Sequence, residues 1–396
     1  MKQYKINLED VITYYNYFQA LKKCNKGVNF KYSVQEYNIH CIERIHETIN
    51  SILKGNIPNV KNIEPVIIFE RGKRRIITPI DISDRIMQKV LCDNVLIPSI
   101  MPHLIFDNGA SVKGKGTDFA RKRLNYFLEK AKKEYKGRDF YVLSFDFKSY
   151  FDSIPHEQCY RVLNKYVSDK RLVNLTIGII ESYKLREIQS VKSEEERKIL
   201  LERLYNHQEK GICLGSQISQ IMAVAVPNEF DHYIKDKLRI KYYERYMDDG
   251  VIIIDDKDKL LTIKNDLSRV AQKYGLTFNL KKTHIVKNSK GFTFLKVKYH
   301  IAKDNKTIKR LVRSGIVRER RKLKKFRTKI KEHKMNLDDV YSNIQSWNAH
   351  SKIAKSYTTS KTIFKMYDDY FDGYRLTQKY YKKHPDINRE RKVTRL

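Results

Sequence analysis

Apolar residues near the start of the chain recur at helical spacing. Val11, Tyr14, Tyr15, Phe18 and Leu21 form one series, and Ile39, Ile42, Ile45, Ile49 and Leu53 a second. Residues 8–55 are therefore predicted to be helical, with these positions on the apolar face. A hairpin follows over 64–80, where Pro65-Val-Ile-Ile-Phe69 and Ile76-Ile77 flank a basic turn at Arg71-Gly-Lys-Arg-Arg75. Helices are predicted from Asp84 to Leu96 and from Thr117 to Lys133. Phe140-Tyr-Val-Leu-Ser-Phe-Asp146 reads as a buried strand that ends on a carboxylate. Residues 185–210 read as a charged, helical surface segment. Gly211 to Gln220 is a loop running into a helix over about 221–236. Residues 242–254 read as a hairpin whose two apolar halves flank an Asp248-Asp249-Gly250 turn. An amphipathic helix over 257–274 is followed by two short strands near 276–286 and 291–300. From about 307 the pattern becomes that of basic helices, and a domain boundary is expected just before it.

Charge narrows the picture. The chain carries 80 Lys and Arg against 46 Asp and Glu, a formal +34. A bias toward AT-rich codons raises Lys, Ile, Asn and Tyr without any function, but does not hold Asp and Glu so far below Lys and Arg. A polyanionic partner, most often nucleic acid, is the expectation. With 41% hydrophobic residues the chain has enough for a sizeable core, which argues against disorder. No apolar run approaches the length of a membrane span, and Met1 to Val11 lacks the apolar core of a signal peptide. The five Cys are scattered, without C-x-x-C spacing, so neither a disulfide framework nor a zinc site is expected, and a reducing cytoplasm is. The histidines show no paired ligand spacing.

Three aspartates stand out by position. Asp146 ends an apolar strand, and Asp248 and Asp249 lie at the turn of an apolar hairpin. Taken singly, an Asp-Asp-Gly stretch is an ordinary turn and Asp146 an exposed strand end. If both elements lie in one sheet, three carboxylates converge at its surface. That donor set suits two Mg²⁺ ions roughly 3.5–4 Å apart for in-line phosphoryl transfer.

The surrounding residues carry a resemblance. Tyr246-Met-Asp-Asp249 matches the Y-x-D-D box of reverse transcriptases, and Phe145-Asp-Phe-Lys-Ser-Tyr-Phe-Asp-Ser-Ile-Pro-His156 matches their first catalytic box. Between them Gly211-Ile-Cys-Leu-Gly-Ser-Gln-Ile-Ser-Gln220, with Asn228-Glu-Phe-Asp231, resembles the nucleotide-pocket box. Gly275-Leu-Thr-Phe-Asn-Leu-Lys-Lys-Thr283 resembles the L-x-x-N-x-x-K-T box, and Gly291-Phe-Thr-Phe-Leu295 the last palm box. Lys73-Arg-Arg-Ile-Ile-Thr-Pro79 with Asp84-Arg85, and Ser111-Val-Lys-Gly-Lys-Gly-Thr117, resemble fingers boxes of the bacterial and phage group. Order and spacing agree over roughly 60–300.

The resemblance implies an α+β right-hand polymerase. Its parts would be a helical N-terminal extension (1–59), fingers (60–135), a palm with an antiparallel sheet (136–303) and a basic helical thumb (304–396). Asp146 and Asp248 would hold both Mg²⁺ ions, for which Mn²⁺ is a substitute. Asp249 would support them, assisted by the Phe147 carbonyl. Phe151 would be the steric gate against a 2′-OH, with Tyr246, Leu214, Gly215 and Gln220 lining the nucleotide pocket. Lys73, Arg75 and Lys115 would bind the dNTP triphosphate. Lys282 would be the general acid for the pyrophosphate. Residues 307–396 carry 25 Lys and Arg against 9 Asp and Glu. Arg313, Arg320, Lys324, Arg327 and Lys331 are the candidates there for contact with a template–primer duplex. The stretch Ser346-Trp-Asn-Ala-His-Ser-Lys-Ile-Ala-Lys-Ser-Tyr357 resembles a thumb-helix signature, with Trp347 expected in its core.

Three positions depart from the common pattern. The pocket box has Leu214 and Gln220 where most members have Gln and Pro, a form similar to diversity-generating retroelement reverse transcriptases. Leu214 offers no hydrogen bond to an incoming nucleotide, so relaxed fidelity is expected. Lys296 stands where a Gly is usual after Phe294-Leu295, which puts that turn in doubt. The functions implied are an RNA-directed DNA polymerase of the diversity-generating kind, with a basic accessory protein, or an antiphage defence reverse transcriptase that makes DNA on a cognate noncoding RNA or without a conventional template. The expected partners are an RNA template and a DNA or RNA primer, away from membranes, in the cytoplasm. A group II intron maturase, a retron enzyme and a viral RNA polymerase fit less well. A catalytically inactive RNA-binding scaffold is the alternative from another class.

Overall fold

The computed structural model describes residues 3–57, 66–70, 73–77, 79–189, 191–205, 209–354 and 356–376. Side chains of residues 67, 69, 70, 73–76, 184–189, 196, 200 and 203–205 lie outside that description. The strands are β1 (Val66–Glu70), β2 (Lys73–Ile77), β3 (Tyr141–Asp146), β4 (Tyr243–Tyr246), β5 (Asp249–Ile254), β6 (His284–Lys287), β7 (Phe292–Phe294), β8 (Val297–Ile301) and β9 (Thr307–Leu311). They form a β1-β2 hairpin, a four-stranded sheet of order β4-β5-β3-β6 and a three-stranded sheet of order β7-β8-β9. Helices make up most of the rest, so the class is α+β as expected.

The chain forms two compact units. The first comprises residues 1–124, 145–252 and 258–284; the second comprises 125–144, 253–257 and 285–396. The first is centred on aromatic side chains. The Phe145 ring lies 4.9 Å from Phe278, 5.9 Å from Phe230 and 5.8 Å from Phe147, and Phe147 stacks on Tyr150 at 5.4 Å. Edge and offset contacts of this kind pack well at the end of a strand. In the second unit Leu323, Val340, Ile344, Ile363, Phe364, Tyr367 and Phe371 form a helical core, with Trp347 packed against it.

Several expectations are corrected. In the N-terminal helices Tyr14, Tyr15, Ile39, Ile42 and Leu53 are exposed, while Tyr17, Ala20, Leu21, Ile45, Ile49 and Ile52 are buried. Of the two expected series Val11, Leu21, Ile45 and Ile49 do lie on the buried face, so the spacing located it in part but was too broad. The helix expected over Asp84–Leu96 runs Ile82–Leu91 and opens into a π-helical turn over Cys92–Leu96. The helix after the pocket loop begins at Gln217, not 221, because Ser216 caps it by accepting from the Ser219 N–H at 3.2 Å. The strand expected over 276–286 is confined to β6; upstream only a single bridge, Phe147 to Phe278, forms. Residues 291–300 are two strands, and 307–311, expected to begin the basic helices, is a third. The β7–β8 pairing leaves Leu295 and Lys296 as its two turn residues, both with positive φ (45° and 66°). A two-residue turn of this hand favours Gly, and here Lys296 occupies the position without one.

The first unit buries an unusual charge on β4. Glu244 is wholly inaccessible, and neither carboxylate oxygen has a hydrogen-bond partner among the described residues. Burial, and next the Asp107 charge, push its pKa up to about 9. Arg123 and Lys235 pull the other way, but both are bonded to Asp107, at 2.5 and 2.7 Å. Between pH 4.5 and about 9 the folded chain keeps a proton that the unfolded chain releases. Stability should therefore fall as pH rises through that interval, by up to about 1.4 kcal/mol per unit. Glu244→Gln, which cannot ionise, should gain on wild type in urea unfolding between about pH 5 and pH 8. A difference that stays constant across that range would show that Glu244 is not held neutral.

Candidate active site

The acidic cluster is built by backbone pairing. β3 runs out at Asp146. The next two N–H groups are then taken by different partners: Phe147 donates to the Asp248 carbonyl (3.2 Å) and Lys148 to the Thr277 carbonyl (2.8 Å). The Asp146 carbonyl in turn accepts from the Asn279 N–H at 2.7 Å. Asp146 is thus fixed between the β4–β5 hairpin and the segment 277–279. In that hairpin Tyr246 pairs with Asp249, so the turn residues are Met247 and Asp248. This corrects the expected Asp-Asp-Gly turn. Met247 takes the left-handed φ of 54°, a conformation disfavoured outside glycine. Gly250 has a different duty. A Cβ there would lie 2.1 Å from the Phe145 ring, so the glycine admits the ring to β5 rather than turning the chain.

The three aspartates come together as expected. Asp146 is buried, and Asp248 and Asp249 are half-buried. Burial raises the Asp248 pKa, and the Asp146 charge raises it further. Burial, then Asp248 and Asp146, push Asp249 up to about 7. Cations relieve such crowding. One is present: Lys282 Nζ lies 2.5 Å from Asp146 Oδ2. Burial alone would lower the Lys282 pKa, but the Asp146 bond and the Asp249 and Asp248 charges outweigh it and raise it. Asn279, absent from the expected site, donates from Nδ2 to Asp146 Oδ1 at 3.2 Å. Its position in the L-x-x-N-x-x-K-T box is the signal that could have identified it. Crowded carboxylates that meet, among the described residues, the half-exposed Lys282 ammonium form a donor set that fits hard divalent cations.

The turn itself is held by Arg245, which the sequence did not single out, paired with Asp231 of the pocket box. Arg245 is fully buried, and its Nε and Nη2 bond both oxygens of Asp231, the shortest at 2.6 Å. Its Nη1 donates to the Met247 carbonyl and its Nη2 to the Val224 carbonyl, each at 2.9 Å. Tyr243 Oη donates to the same Asp231 at 2.6 Å. One guanidinium therefore joins the turn to the helices Gln217–Ala225 and Asn228–His232.

The remaining expected residues are placed as follows. Phe147 is buried, and Phe151 is half-buried with its carbonyl accepting from the Ile212 N–H at 2.8 Å, so the segment after Asp146 is tied to the pocket loop. Tyr246 and Leu214 are half-buried, and Gly215 and Gln220 are exposed. Lys115 is turned onto its own loop: Nζ donates to the Phe106 carbonyl at 2.6 Å and lies over the Phe106 and Phe119 rings. The side chains of Lys73 and Arg75 lie outside the described residues. Arg313, Arg320, Lys324, Arg327 and Lys331 are all exposed on the helix Arg313–Lys331. They lie roughly 100° around the helix from the series Glu319, Leu323, Phe326 and Ile330, which faces the core. Arg327 also rests on the Tyr370 ring at 5.0 Å.

Residues 54–299 match the family model of the reverse transcriptases (RNA-dependent DNA polymerases). The chain belongs to this family of enzymes. Solved structures similar to it include apo telomerase from Candida tropicalis truncated from the C-terminal domain, at 17% identity over 68% of this chain and 60% of that one, TM-score 0.43. Telomerase from Candida albicans with a TWJ fragment of telomeric RNA matches at 13% identity, over 62% of this chain and 46% of that one, TM-score 0.39. The chain spans between about half and three fifths of the length of these structures. No curated protein matches the sequence.

Asp231→Ala would leave the Arg245 guanidinium buried without a counter-charge. Urea unfolding should show a loss of about 3–5 kcal/mol. Glu157→Ala, which breaks the exposed Arg161–Glu157 pair, should cost no more than about 0.5 kcal/mol. Equal losses would contradict the supporting role assigned to the buried pair.

Proposed function

We propose that this chain is an RNA-templated DNA polymerase that joins deoxynucleotides by two-metal nucleotidyl transfer. The observation that supports it is the gathering of Asp146, Asp248 and Asp249 at one end of a sheet, in a reverse transcriptase family member. In this reading Asp146 and Asp248 would hold two Mg²⁺ ions, or Mn²⁺ in their place, with Asp249 and the Phe147 carbonyl in support. Ions bound there would activate the primer hydroxyl and neutralise charge on the transferred phosphate. Lys282 Nζ, held beside Asp146 at 2.5 Å, would deliver a proton to the leaving pyrophosphate. The Phe151 ring excludes a ribose 2′-OH. Lys73, Arg75 and Lys115 bind the triphosphate, Lys115 after leaving the Phe106 carbonyl. The exposed basic stripe of the helix Arg313–Lys331 follows the phosphates of a template–primer duplex, the RNA template bearing a DNA or RNA primer.

Leu214 and Gln220 favour the error-prone, diversity-generating kind of enzyme. A leucine at the pocket cannot supply the hydrogen bonds of a glutamine, and each lost bond removes about 1 kcal/mol of discrimination.

Primer extension on an RNA template with Mg²⁺ and dNTPs tests the activity. Wild type should extend the primer. Asp248→Ala should lose at least about 10³-fold in rate while still binding RNA, since phosphate-charge stabilisation is the main catalytic contribution. Absence of extension by wild type, with tight RNA binding, would instead indicate a binding scaffold. In the same assay Leu214→Gln should reduce misincorporation opposite template adenine by about fivefold. Error spectra identical to wild type would remove the fidelity reading.

A further inference from the structure

Away from the acidic hairpin, the fold gathers three metal-ligating side chains that sequence spacing did not reveal. One ligand atom each from His156, Glu181 and Glu209 lies within 4.8 Å of the others. His156 opens the helix His156–Tyr166 and is buried. Its Nε2 is 2.7 Å from the Gly211 carbonyl oxygen. A carbonyl only accepts, so Nε2 carries the proton and Nδ1 of the neutral ring carries the lone pair. An imidazole that donates its far N–H to a backbone carbonyl is oriented as metal-binding histidines are.

Backbone bonds fix two of the three ligands relative to each other. The His156 N–H donates to the Glu209 carbonyl at 3.0 Å, Pro155 pairs with Lys210, and the Gly211 N–H donates to the Ile154 carbonyl at 2.7 Å. Glu181 comes from the helix Lys170–Gln189. Although Glu181 is exposed, partial desolvation and next the neighbouring Glu209 carboxylate raise its pKa. Two carboxylates and one nitrogen of the His156 ring thus lie within 4.8 Å of one another.

We propose that His156 Nδ1, Glu181 and Glu209 bind a divalent transition-metal ion, with Zn²⁺ the best match and water in the remaining position. One nitrogen and two carboxylates disfavour Mg²⁺ and Ca²⁺, which prefer all-oxygen surroundings. Three protein ligands with one open position is a coordination that Zn²⁺ accepts. With metal–ligand bonds of roughly 2.0–2.2 Å, tetrahedral ligand atoms sit about 3.3–3.6 Å apart. The two glutamates are exposed and can close that gap by side-chain rotation, while the histidine stays in place. The ion would join the segment after Phe151, the helix Lys170–Gln189 and the start of the pocket loop. Its role would be to stiffen the base of the nucleotide pocket, not to take part in the chemistry.

Equilibrium dialysis of the full chain against Zn²⁺ in excess Mg²⁺, with melting curves alongside, tests this. Wild type should bind one Zn²⁺ per chain and melt at a higher temperature with it. Glu181→Gln and Glu209→Gln lie at the surface and should keep the wild-type circular dichroism, while each weakens Zn²⁺ binding by about tenfold or more. His156→Gln should do the same; if it does not fold, the two glutamine variants decide. Asp248→Ala should bind Zn²⁺ as wild type does. The proposal is overturned if wild type binds no Zn²⁺, if neither glutamine variant weakens binding, or if Asp248→Ala abolishes it, which would assign the ion to the hairpin carboxylates.

Discussion

The placement of the acidic hairpin rests on a buried ion pair. Arg245 has no contact with water, so its charge is tolerable only because Asp231 and two backbone carbonyls meet it. Such a pair contributes little net stability compared with apolar packing. It contributes position: the guanidinium is planar and its donors point in fixed directions, so the Met247 carbonyl, the Val224 carbonyl and Asp231 must all be where the fork requires. The aromatic group around Phe145 then closes over the same sheet end. Phe145 and Tyr243 rings lie 6.4 Å apart, and the Tyr243 hydroxyl reaches Asp231. Polar geometry and apolar packing here fix the same few backbone atoms.

Much of the fold was legible in the sequence where periodicity was unambiguous. β3 could be recognised as an apolar strand ending in a carboxylate, and the β4–β5 hairpin by two apolar halves with a polar joint. The three aspartates followed, because a charge at the end of an apolar strand has few other places to be. What was not legible depended on tertiary contact. Gly250 next to two aspartates reads as a turn residue, yet its purpose is room for the Phe145 ring. Thr307–Leu311 carries Lys309 and Arg310 and so reads with the basic helices, but pairing with β8 makes it a strand. Arg245 is one of many arginines in a basic chain. Nothing local distinguishes it from the surface arginines; only the fold brings Asp231 beneath it. The cluster of His156, Glu181 and Glu209 has no motif for the same reason.

The second unit is assembled from distant stretches of chain, and that shapes how it can be made. Lys132 bonds to the Asn305 carbonyl across 173 residues, and Glu129 accepts from Thr307 across 178. Nearby, Asn288 donates to the Phe140 carbonyl, and Lys287 pairs with Asp139. During synthesis the stretch 125–144 emerges long before its partners in 285–311. At about 5–20 residues per second it waits roughly ten to thirty seconds with its apolar face uncovered. The intervening residues, most of the first unit's sheet and helices among them, can become structured in that interval. The second unit is therefore completed late by construction, and its unpaired early segment is where a holding chaperone would have the longest opportunity to bind.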